Sequence, residues 1–92
     1  MNLDSTAVIP AHVMARDLGG ETVILNLESG IYFGLDHSGA RIWQLLSEGK
    51  TFAEVCDAML AEYDVSREDI ERDVLYLVNE LRSQSLVDIA TP

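Results

Sequence analysis

Apolar and polar positions alternate with period two over two neighbouring stretches. Val23, Leu25 and Leu27 interleave with Thr22, Ile24 and Asn26, and Ile31, Phe33 and Leu35 interleave with Tyr32 and Gly34. That period belongs to half-buried strands. Glu28-Ser29-Gly30 between them fits a three-residue hairpin loop, because Gly30 can take the left-handed conformation at its last position. Val13 to Leu18 reads as an earlier strand closed by the turn signal Gly19-Gly20. The pattern therefore predicts a meander of three strands at about residues 12–18, 21–27 and 30–35. Residues 1–11 are weakly patterned, contain Pro10 and read as a flexible lead-in to a single domain spanning residues 12–90.

From residue 36 the period changes to that of helices. Asp36 or Ser38 can cap a helix over residues 40–47, with Ile42, Leu45 and Leu46 inward, Trp43 at the margin and Gly49 as its stop. Thr51 and Glu54 have capping-box spacing. The helix they open runs to about Tyr63 with Phe52, Val55, Cys56, Met59 and Tyr63 on one face. Ser66 and Asp69 open a third helix more weakly, with Ile70, Val74, Leu77, Val78 and Leu81 inward. Residues 86–89 read as a short terminal strand. The expected fold class is α+β: a three-stranded antiparallel sheet followed by a three-helix, winged helix-turn-helix-like unit. The third strand is expected to be left as an edge, whose unpaired N–H and C=O groups another chain can pair with. That edge is the expected working surface, and an extended peptide the expected guest.

Sixteen acidic residues against six basic ones give a net charge of −10. Phosphate neutralisation needs Lys and Arg, so nucleic acid and anionic membrane are disfavoured as partners. The third helix, as a major-groove reader, would carry Glu68, Asp69, Glu71, Asp73 and Glu80 against Arg67, Arg72 and Arg82, a poor phosphate surface. Nor does the chain offer catalytic spacing. His12 falls in the weakly patterned start and His37 in a turn. Cys56 sits on an apolar stripe, where a small buried hydrophobe is the simplest reading. No metal-ligand spacing and no cofactor motif is present, so no catalytic residue, metal or cofactor is assigned. A lone cysteine, no apolar run of membrane-spanning length and no secretory signal make the cytoplasm the default location.

An ordered series of residues then narrows the reading. It starts with Gly30-Ile31-Tyr32-Phe33-Gly34-Leu35-Asp36, Gly39, Ile42-Trp43, Leu45-Leu46 and Gly49. It continues with Glu54, Leu60, Tyr63, Val65, Asp73-Val74, Leu77, Leu81 and Leu86-Val87. This series resembles the PqqD-like family over residues 13–87. The resemblance implies a peptide chaperone, or recognition element, for ribosomally made peptides that are later modified. A precursor's leader segment would add to the third strand, lie against the third helix and be presented to a processing enzyme, a leader peptidase or a radical SAM enzyme. The runs ESGIYFGLD and ARIWQLL look more like stand-alone lasso-peptide proteins than quinone-cofactor ones.

The expected peptide-binding residues are Ile31, Tyr32, Phe33 and Gly34 on the strand and Asp69, Asp73, Leu75 and Tyr76 on the helix. Alternation would turn Ile31, Phe33 and Leu35 toward the core and leave Tyr32 exposed. Leu75 and Tyr76 lie off the inward stripe, whereas Asp69, Asp73, Tyr76 and Glu80 share one helix face and could receive basic residues of a leader. A winged-helix transcriptional regulator and a dimerising adaptor are the alternatives. The latter would join two copies as a homodimer through the same kind of open edge.

Overall fold

The computed structural model describes residues 2–92. In chain order it contains β1 (Thr6–Val8), β2 (Val13–Asp17), β3 (Thr22–Asn26), β4 (Tyr32–Leu35), α1 (His37–Ser47), α2 (Phe52–Glu62), α3 (Arg67–Ser83) and β5 (Asp88–Ala90). The meander forms an antiparallel sheet in the order β2-β3-β4. The three helices cover one face of it, in line with the expected α+β class and compatible with a winged helix-turn-helix outline.

Which face is covered is not what apolar content alone implies. Along β3 the buried residues are Thr22, Ile24 and Asn26, while Val23 and Leu25 are only half-buried. Asn26 explains part of this. Its Oδ1 accepts from the N–H groups of Glu28 and Ser29 at 2.9 and 3.2 Å, and its Nδ2 donates to Gln84 O at 3.3 Å. Gly30, with φ of +74°, donates its N–H to Asn26 O at 2.7 Å. One buried amide thus shapes the hairpin turn and ties it to the end of α3, and its own hydrogen-bonding groups are satisfied.

The helices begin where their caps place them. Asp36 caps α1 by accepting from Gly39 N–H at 2.9 Å, so this helix starts three residues before residue 40. Thr51 and Glu54 form the reciprocal capping box of α2, at 2.8 and 3.1 Å. Ser66 caps α3 through Asp69 N–H at 3.1 Å. Gly49, with φ of +84°, stands just beyond α1. The core gathers Ile24 from the sheet, Leu46 from α1, Phe52 and Met59 from α2, Val74 and Leu81 from α3, and Leu86 beyond it. Trp43 is 6% exposed, so it belongs to this core rather than to the margin of α1.

The start of the chain differs from the lead-in that its weak pattern implied. β1 pairs antiparallel with β5, setting Thr6 opposite Ala90, Ala7 opposite Ile89 and Val8 opposite Asp88. Ser5 is fully buried, with its Oγ 2.8 Å from Thr91 Oγ1. Leu3 O and Ser5 O accept from Ala53 and Phe52 N–H at 2.9 and 3.0 Å. These are among the donors a helix N-terminus leaves free. Met1, the first residue of that lead-in, lies outside the described residues. The terminal strand begins at Asp88, after Leu86 and Val87 have entered the core.

Two outcomes follow for stability. Asn26→Ala leaves three main-chain groups without their partner and should cost about 1–3 kcal/mol in urea unfolding; Asn26→Asp keeps the acceptor and should cost less. Hydrogen bonds from the Thr51 main chain and hydroxyl hold the Glu54 carboxyl below its ordinary pKa. The folded-state pKa is therefore depressed, and the contribution of Glu54 is full above the ordinary carboxylate range and lost as pH falls through the lowered value. The stability gap between the parent chain and Glu54→Gln should shrink over that window.

Candidate peptide-binding groove

The hydrogen-bond phase of the sheet decides what β4 offers. Asn26 donates its N–H to Ile31 O at 3.0 Å, and β3 and β4 pair Ile24 with Phe33 and Thr22 with Leu35. In an antiparallel ladder, bonded pairs recur every second residue. Ile31, Phe33 and Leu35 therefore turn their main-chain groups toward β3. Tyr32 and Gly34 turn theirs outward, where, among the described residues, β4 has no further neighbouring strand. Four main-chain groups, two donors and two acceptors, stand open on this edge.

A groove of about 420 Å³ runs beside them. Phe33, Leu35, Ile42 and Leu77 supply its apolar lining, Gly39 lies on the same wall as Ile42, at the start of α1, and Asp36, Asp73 and Tyr76 form its polar margin. Leu35 is buried and Phe33 half-buried, both on the covered face of the sheet. Gly39 lets the first turn of α1 close on β4. A Cβ there would sit 3.3 Å from Leu35 Cδ2 and 3.3 Å from Asp36 Oδ1. Asp36 spends one carboxylate oxygen on Gly39 N–H and Ser38 Oγ, the latter at 3.2 Å. Its part at the groove is to hold the end of the strand against the start of the helix.

Phe33, Gly34, Asp73 and Tyr76, all expected from the sequence, line the groove. The other four expected residues do not line it. Ile31 is 54% exposed at the hairpin end of β4, and the Tyr32 side chain, 70% exposed, stands on the open face of the sheet opposite Leu25. Tyr32 can serve a guest through its main chain instead. Leu75 packs against the core. Asp69 lies one turn before Asp73 and is bound, at 3.3 Å, by Arg72, which also reaches Asp73 at 3.5 Å. The acidic row thus carries its own cation, in an exposed pair that contributes little.

Leu77, Ile42 and Leu35 are lining residues that periodicity assigned to the core, and Asp36 and Ser38 are lining residues first read as helix caps. A trace of Leu77's double role exists in the pattern: it flanks Val74 and Val78 on the stripe and stays half-buried where they are fully buried. Cys56 is fully buried in the core and its thiol is pushed up in pKa by that burial, away from the thiolate that nucleophilic or ligand chemistry requires. Among the described residues no cluster of three His, Cys, Asp or Glu could hold a metal ion, and no helix is long and apolar enough to cross a membrane.

An antiparallel sheet with one open edge beside an apolar helix groove defines a strand-accepting domain. The family model described as coenzyme PQQ synthesis protein D (PqqD) matches residues 21–87, and the chain belongs to that family. Two solved structures are similar over nearly its whole length. One is TbiB1 in complex with the TbiA(beta) leader peptide, 42% identical, with a TM-score of 0.85 over 88% of this chain and 94% of that one. The other is lasso peptide synthetase B1 complexed with the leader peptide, 29% identical, with a TM-score of 0.83 over 89% and 96%. No curated protein matches the chain.

The groove geometry separates two neighbouring substitutions. A Cβ at Gly34 meets nothing within 4 Å, so Gly34→Ala should leave the melting temperature nearly unchanged. Leu35→Ala removes a buried side chain and should cost about 2–5 kcal/mol in the same denaturation assay.

Proposed function

We propose that this protein captures the leader segment of a ribosomally synthesised precursor peptide as an added strand on β4 and presents the precursor to a modifying or processing enzyme. The observation that carries this reading is the run of outward main-chain groups at Tyr32 and Gly34 beside the groove of Phe33, Leu35, Ile42 and Leu77. Both similar structures hold a leader peptide, which supports the same class of guest. One of them is a lasso peptide synthetase B1, which favours that pathway over quinone-cofactor synthesis.

Affinity follows from adding the terms. Four main-chain hydrogen bonds contribute about 0.5–1.5 kcal/mol each, and ordering an extended guest consumes much of that gain. Apolar side chains entering the groove supply the rest, at roughly 25 cal/mol per Å² buried. In an added strand every second side chain points to the covered face, so alternate apolar residues of the leader enter the groove. Asp73 at the margin suits a basic residue on the guest. The protein performs no bond chemistry itself; catalysis belongs to the enzyme that receives the precursor, a leader peptidase or a radical SAM enzyme.

An NMR titration with leader peptides encoded by short reading frames beside the gene tests the reading. Amide shifts concentrated at residues 30–35 and 66–80 are expected. Shifts centred on α2, or none with any such peptide, would sink it. Tyr32→Pro removes an outward N–H without touching the bonds to β3 and should weaken binding by roughly tenfold or more. Tyr76→Ala should weaken it with an unchanged melting temperature, because its side chain is 67% exposed and lines the groove. Phe33→Ala, in contrast, should lower the melting temperature as well.

A further inference from the structure

The sheet has a second open border. Leu27 donates its N–H to His12 O at 2.8 Å, and Leu18 donates its N–H to Glu21 O at 2.7 Å. With the continuous register of β2 against β3, this turns the main-chain groups of Met14 and Arg16 inward, to β3. Those of Val13, Ala15 and Asp17 point away from the sheet, where, among the described residues, β2 has no further neighbouring strand. The Val13 N–H is already taken by Pro10 O at 3.1 Å. The C=O of Val13 and both main-chain groups of Ala15 and Asp17 remain open.

Four of these five, all but the Asp17 C=O, are arranged symmetrically about Ala15. With a two-fold axis at Ala15, an antiparallel second β2 would satisfy those four and leave the Asp17 C=O to water, because Pro10 O holds the Val13 N–H that would face it. Ala15 N–H would donate to the partner's Ala15 C=O, Asp17 N–H to the partner's Val13 C=O, and each bond would occur twice. That is the self-complementarity an isologous contact requires. The usual defences of a strand edge, proline and lysine, are absent from residues 13–17. Charge points to the same place. A net charge of −10 resists self-association, least where charges cancel locally. Beside β2, Arg16 offsets Asp17, and Glu62 holds Arg41 at 2.7 Å. Asp17 is also drawn back over its turn, accepting from Gly20 N–H at 3.3 Å. Beside β4, one cation, Arg72, stands against Asp36, Asp69 and Asp73.

We propose that β2 is a self-association edge: two copies pair through it antiparallel about Ala15, fusing their sheets and leaving both β4 edges open. Five-residue strands bury far less than the roughly 1,200 Å² of a stable interface, so the dimer is weak and reversible.

Sedimentation equilibrium on the full chain, over a range of protein and salt concentrations, tests this. A reversible dimer is expected, and salt should tighten it by screening like charge. The register sets Met14 opposite the partner's Arg16 on the open face, and Met14 is 57% exposed, so its replacement spares the fold. Met14→Glu should tighten the dimer although it adds negative charge. Met14→Lys should loosen it although it removes some. Each change should be roughly two- to tenfold, from two symmetric cross-strand pairs. Hydrogen exchange gives a second readout. Amide protection at Ala15 and Asp17 should rise with protein concentration, while that at Met14 and Arg16 should not.

A monomer at every concentration and salt overturns the proposal. So does a dimer indifferent to the sign of charge at residue 14, or one that leader peptide dissociates, since β4 would then be the paired edge. Leader titrations of the Met14 variants should match the parent chain, so loss of the dimer leaves the leader-binding reading standing.

Discussion

A main-chain N–H or C=O held away from water needs a partner, and a sheet provides partners only between its outermost strands. β4 is outermost, and the chain cannot cover it. Directly after Leu35, Asp36 caps α1 and turns the backbone back across the face of the sheet. The chain goes on into helices, and no later strand pairs with Tyr32 and Gly34. The open groups there are thus a consequence of how the sheet ends, and the groove is a consequence of where α3 then passes.

The same economy explains the mixed duties of the lining residues. Leu35, Ile42 and Leu77 support the packing of sheet against helices and also present apolar surface to the groove. A guest strand would complete a surface the fold leaves unfinished. Its main chain would take the open hydrogen bonds and its alternate side chains the open side of the core. Selectivity would then rest on a few positions at the margin, chiefly Asp73 and Tyr76, on an exposed face of α3. The high acidity of the chain acts over a longer range and would disfavour phosphate-rich partners and favour a guest with basic residues.

Much of the architecture was legible before any coordinates. The Thr51–Glu54 capping box, the Ser66 cap, the three meander strands and the stripe of Ile70, Val74, Val78 and Leu81 all stand where local spacing put them. The groove was legible only in part. Phe33, Gly34, Asp73 and Tyr76 reach it, but Leu75, half-buried against the core, does not line it, and Ile31 and the Tyr32 side chain face solvent. A helix periodicity reports how far a residue lies from the middle of the buried stripe. It does not report which neighbour approaches each flank, and the flank decides between Leu75 and Leu77.

Elements held by short-range interactions were determined by the sequence itself, because a cap, a turn glycine or an i, i+4 stripe is complete within a few residues. Tertiary structure decided everything that needed a distant partner. It chose Thr22, Ile24 and Asn26 over Val23 and Leu25 as the covered face, since the helices and the Asn26 bond to Gln84 lie on that side. It also joined β1 to β5 across almost the full length of the chain. Three-residue strands carry too few positions to show a period, and their stability comes from the pairing itself, which no local pattern records.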